Sequence, residues 1–139
     1  MSKAPITMDE LARRAAVRFL LDDCRSHPDY ETSLTRAGIR ADDIARYKGA
    51  PPAAALSVIQ SIHGLEALES LSQRIKETLA TEGNKSVEAL RTPDVLSVSG
   101  LLACACDDHG IGGIGLTEKG VHDTIMAERK QLMRESKSP

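Results

Sequence analysis

A chain of 139 residues, 41% hydrophobic and 27% charged, is long enough to bury an aliphatic core without disulfides or a structural metal. Only Phe19, Tyr30 and Tyr47 are aromatic, so the stacking platforms that hold single-stranded nucleic acid are missing. The net charge of −2, spread as nine Lys/Arg against eight Asp/Glu in residues 1–65 and nine against twelve in residues 66–139, excludes binding to nucleic acid by bulk phosphate neutralisation alone.

Along the chain, Thr7-Met-Asp-Glu10 is a capping box. It opens a helix expected over Met8–Ser26, with Met8, Leu11, Ala12, Ala15, Ala16, Phe19 and Leu20 on one broad face and Arg13, Arg14 and Asp22 off it. Pro28 stops that helix by pushing His27 out of the helical region. Two short helices follow, Asp29–Ala37 and Ala41–Lys48, with Gly38 and Gly49 where a left-handed residue closes a helix. Pro51-Pro52 pre-sets the first turn of the next, Pro52–His63, whose Leu56, Ile59 and Ile62 recur every three residues.

Beyond Gly64, Leu65, Leu68, Ser72, Ile75 and Leu79 form a narrow seam on a helix over Leu65–Thr81. Such a seam suits a two-helix contact, inside the chain or with a second copy or partner. A loop at Glu82–Ser86 leads to a short helix, Ser86–Arg91, and then to a cap at Thr92-Pro93. The helix that starts there places Val95, Val98, Leu101, Leu102 and Ala105 on one face as far as Asp107. Only residues 111–116 suit a strand, and a short one, because of their glycines. A last helix, Glu118–Glu135, turns Val121, Ile125 and Leu132 inward with Met133 on the flank, and residues 136–139 form a loose tail. The whole reads as all-α: one compact domain of about seven helices, divided into halves 1–64 and 65–135.

Three cysteines without an export signal, and an N-terminal apolar stretch interrupted by Arg13, Arg14 and Arg18, lead us to expect a cytoplasmic protein with no membrane span. No catalytic, metal or cofactor set is expected. Gly110-Ile-Gly-Gly-Ile-Gly115 matches a dinucleotide-binding pattern, but a helix precedes it and no βαβ unit can follow. Cys104 and Cys106 would point about 200° apart on a helix, too far to share a metal. As small apolar side chains they suit a core, Cys104 included. At a helix C-terminus beside Asp107 and Asp108, a Cys106–His109 pair would have its thiol shifted away from reactivity.

Leu116-Thr-Glu-Lys-Gly120 resembles the Leu-Thr-x-x-Gly segment that follows the wing in winged-helix regulators of the multiple-antibiotic-resistance type. The resemblance implies a stunted wing at 111–115, a recognition helix from Pro93 to Asp107 bearing Ser97 and Ser99, and Ser86–Arg91 as the helix before it. This chain departs from the family in having no Lys or Arg from Thr92 to Thr117. Phosphate contacts would then fall to Arg74, Lys76, Lys85, Arg91 and Lys119. A second candidate helix-turn-helix spans Tyr30–Lys48, with Arg36, Arg40, Arg46 and Lys48 on it. Here Arg36-Ala-Gly-Ile39 and Pro51-Pro-Ala-Ala-Ala-Leu56 resemble segments of the flagellar master regulator's D subunit.

Two functions are expected in order. The first is a transcription-associated regulator, touching DNA through these cations or bound to a protein that does. The second is a helical protein–protein interaction module, an antiactivator or accessory subunit, using Leu65, Leu68, Ile75 and Leu79 and making no DNA contact.

Overall fold

The computed structural model describes residues 6–47, 51–80, 86–110 and 117–137, apart from the side chains of Ala45, Arg46, Ser136 and Lys137. The described residues form seven helices and no strand: α1 (Met8–Cys24), α2 (Tyr30–Ala37), α3 (Ala41–Arg46), α4 (Ala53–Ile62), α5 (Leu65–Ala80), α6 (Thr92–Asp108) and α7 (Glu118–Lys137). The all-α class read from periodicity holds. The short strand expected at 111–116, like residues 82–85 of the expected loop, lies outside the described residues.

α1 is the centre of the fold. It packs against α5, α7 and α4, and α5 in turn packs against α6 and α4. Ala12, Ala15 and Ala16 are all buried, which lets neighbouring helices approach α1 closely. Thr7 caps it, its hydroxyl accepting the Glu10 amide at 3.1 Å. Covered on three sides, α1 buries far more than the one face its periodicity implies, and Arg14 is only 3% exposed. The expectation that Arg14 lies off the core is therefore corrected. α7 lies over that side of α1 and supplies the counter-charge: Glu135 takes two guanidinium hydrogen bonds, at 2.6 and 2.7 Å, and Glu10 a third at 3.1 Å. One turn on, Arg18 donates to Glu128 at 2.8 Å and to the Tyr47 carbonyl at 2.8 Å, with its guanidinium 4.0 Å from the Tyr47 ring centroid. The buried inner line of α7 thus runs Val121, Ile125, Glu128, Leu132, with one carboxylate among its aliphatic positions.

The seam on α5 is spent inside the chain. Leu68, Ile75 and Leu79 are fully buried, joined by Leu71, while Leu65 is 41% exposed at the start of the helix. Of the two readings of that seam, the packing is intramolecular. On α4 the inner line is Ala55, Val58 and Ile59, with Leu56 and Ile62 only partly covered. Gly38 closes α2 at φ 70°, in the left-handed region its place predicted, and α2 packs on α4.

Residues 86–90 form a single turn instead of the expected helix Ser86–Arg91, held by bonds from Ala89 to Ser86 and from Leu90 to Val87. The reason lies in who takes the backbone groups. A helix would return the Arg91 amide to the Val87 carbonyl, but that amide donates to the Asp94 carboxylate at 2.9 Å. The Val87 and Glu88 carbonyls instead accept from Arg129 of α7, at 2.8 and 2.6 Å. Val87 and Leu90 sink into the core beneath this clamp. No helix among the described residues is long and apolar enough to cross a membrane.

Candidate functional site: the outward side of α6

α6 is apolar nearly all round, which a surface helix seldom is. Its inner side, Val95, Val98, Ser99, Leu102, Ala105 and Cys106, is buried against α7 and α5. The one hydroxyl there is satisfied, Ser99 donating to the Val95 carbonyl at 2.7 Å. Both ends are pinned. Asp94 receives the Arg91 amide at the start. At the finish His109 bridges the Ala105 carbonyl (2.8 Å) and the Ser70 hydroxyl (3.1 Å), while Arg74 of α5 meets Asp108 at 2.7 Å.

The opposite side faces water with two leucines on it: Leu96 is 47% exposed and Leu101 61%. Leu101 was expected inward with Leu102. Consecutive helical residues sit about 100° apart, so only one of the two can follow the Val95–Val98–Ala105 line, and Leu102 does. Cys104 is also exposed, which corrects its reading as a core residue, and Cys106 is the buried one. The expected divergence of the two thiols therefore stands. Ser97 and Gly100 lie between the leucines. A Cβ on Gly100 would come within 2.9 Å of a Glu118 carboxylate oxygen, so the first turn of α7 borders this surface with an acid. Thr117 caps that turn, its hydroxyl accepting the Gly120 amide at 3.0 Å.

Among the described residues, the cations picked out in the sequence fall into separate sets. Arg36 and Arg40 are exposed around the end of α2, beside the exposed acids Glu31, Asp42 and Asp43. α2 packs on α4, whereas Arg91 and Lys119 sit at the starts of α6 and α7, which pack on each other. Lys48, Lys85 and the Arg46 side chain lie outside the described residues. Lys76 pairs with Asp9 at 2.8 Å. Of the serines proposed for a recognition helix, Ser97 is exposed and Ser99 fully buried.

Among the described residues no three His, Cys, Asp or Glu side chains converge as metal ligands. His63 and Asp23 meet at 2.9 Å and tie the ends of α4 and α1. A depression between α1 and α5, about 280 Å³, is lined by Asp9, Arg13, Glu69, Ser72 and Gln73. Its Ser72 hydroxyl is turned onto the Leu68 carbonyl at 2.7 Å. Burial pushes the thiols of Cys24 and Cys106 up to about 12, and the His109 ring is engaged elsewhere. We expect a water-soluble maleimide to modify Cys104 alone in the native protein, with Cys24 and Cys106 reacting only on unfolding. Peptide mass mapping of a short labelling pulse checks this. Early labelling of Cys106 would mean that α6 does not sit as described.

Comparisons with protein-family models, with curated proteins and with solved structures find no match to this chain.

Proposed function

We propose that this chain is a helical protein–protein interaction module, an accessory or antiactivator-type subunit of a regulatory assembly, and that it docks through the outward side of α6. One observation carries the reading: a helix fixed at both ends holds Leu96 and Leu101 in water, with no Lys or Arg from Thr92 to Glu118. Exposed aliphatic side chains on a rigid element suit a protein contact. The missing cations argue against phosphate contact along the same helix, which weakens DNA readout by a recognition helix.

A photo-crosslinking residue placed singly at Leu96, Leu101, Arg36 or Arg40 of the full chain, in its own cells, tests this. We expect a discrete protein adduct from positions 96 and 101. Nucleic-acid adducts from 36 and 40, with none from α6, would replace this reading by direct DNA binding.

A further inference from the structure

We propose that the depression between α1 and α5 binds a free α-amino acid, with Arg13 taking its carboxylate and α5 its ammonium group. The inference is independent of the docking reading of α6. Asp9 and Arg13 come from α1, and Glu69, Ser72 and Gln73 from α5; together they line a space of about 280 Å³. That is close to the lower end of the ~300–1,000 Å³ of small-molecule sites. Ser72 is half-buried and the other four are exposed.

The hydrogen-bonding capacity left in the depression selects the ligand. The Ser72 hydroxyl donates to the Leu68 carbonyl at 2.7 Å, so its oxygen can only accept. The Gln73 amide donates to Glu77 at 2.9 Å, which leaves its carbonyl oxygen open. Glu69 has no ion-pair or hydrogen-bond partner among the described residues. One turn of α5 therefore offers three acceptors, the number of N–H donors on a primary ammonium. Arg13, on the facing helix, likewise has no partner among the described residues, and its planar fork suits a carboxylate. Charge narrows the choice further. Lys76 cancels Asp9 at 2.8 Å and Arg13 balances Glu69, so the surroundings are neutral overall. A nucleotide or other net anion would meet the Glu69 carboxylate there, and a polyamine the Arg13 guanidinium, whereas a zwitterion is matched at both ends. With an exposed mouth, the ligand's own side chain extends into water. The site then reads the ammonium–carboxylate pair and not the kind of amino acid.

The test titrates the full chain with L-alanine, N-acetyl-L-alanine and L-alaninamide, followed by backbone amide chemical shifts. L-alanine should move the amides of Arg13, Ser72 and Gln73 saturably with a Kd of about 1 mM, a weak value because the charged contacts form in water. The two derivatives, each lacking one of the charges, should bind at least about tenfold more weakly. Arg13→Gln and Glu69→Gln should each weaken L-alanine binding by a similar factor. Both positions are exposed, so helical circular dichroism should not change. Absence of saturable shifts with L-alanine, equal binding of either derivative, or shifts that survive both substitutions overturns the site. Any of these leaves the α6 reading standing, because photo-adducts from positions 96 and 101 report on a different helix.

Discussion

Replacing Leu68 and Ile75 together by aspartate is expected to leave the chain unfolded at room temperature, seen as loss of the helical circular dichroism signal. Both side chains are fully buried on α5, the helix that packs on α1, α6 and α4. Each substitution forfeits about 2 kcal/mol of aliphatic burial. It also sets a carboxyl where no partner awaits it, costing several kcal/mol more whether it ionises or takes up a proton. A domain stable by about 5–15 kcal/mol does not survive two such changes. Leu65→Asp, on the same helix but 41% exposed, is the control, and its cost should stay within about 0.5 kcal/mol. A folded double variant that had merely lost self-association would mean that the seam faces a partner after all.

The second large effect is on the polar link between α1 and α7. Glu135→Ala is expected to destabilise the protein by about 3 kcal/mol, because it leaves the Arg14 guanidinium buried with Glu10 as its one carboxylate partner. Arg14→Met should cost less, about 1 kcal/mol. The carboxylates it releases, with side chains 38% and 47% exposed, can turn to water, and methionine refills the space. Chemical denaturation of the two variants gives the comparison, and the reverse order would show that Glu135, not Arg14, is the buried partner. The same link fixes a pH dependence. Hydrogen bonds from Arg14 hold the Glu135 carboxyl below its ordinary value. A carboxyl whose value is lower folded than unfolded adds stability above the unfolded value and loses it as pH falls through the folded one. Glu135→Ala should therefore flatten the acid limb of the stability profile while leaving stability above neutral pH uniformly lower.

The helices were legible because their signals are local. Thr7 and Thr117 cap where a hydroxyl precedes a helical run, Gly38 closes α2 from the left-handed region, and the Leu68–Ile75–Leu79 spacing marks a buried line. What failed was non-local. Arg14 and Arg18, four apart on α1, look like surface residues until Glu128 and Glu135, seven apart on α7, arrive to neutralise them. The pairing of those two spacings was the available signal, but only if α1 and α7 were known to be neighbours. The turn at 86–90 gave up its helix to Arg129, some forty residues away in the chain. On α6 the apolar residues extend round the helix, so Leu101 and Cys104 were read as core, although the Val95–Val98–Ala105 spacing already favours Leu102 over Leu101. The basic residues were visible in the sequence, whereas their separation onto α2 and the α6–α7 starts depended on the packing.

A covered α6 surface has a direct signature in Cys104, the exposed thiol between Leu101 and Asp107. The measurement is the rate at which Cys104 takes up maleimide in purified protein and in native extract of its own cells, read against a cysteine introduced at exposed Thr35. The account predicts that extract slows Cys104 severalfold while sparing position 35, and that Leu101→Asp restores the fast rate. Equal protection ratios at the two positions, unchanged by Leu101→Asp, would contradict it.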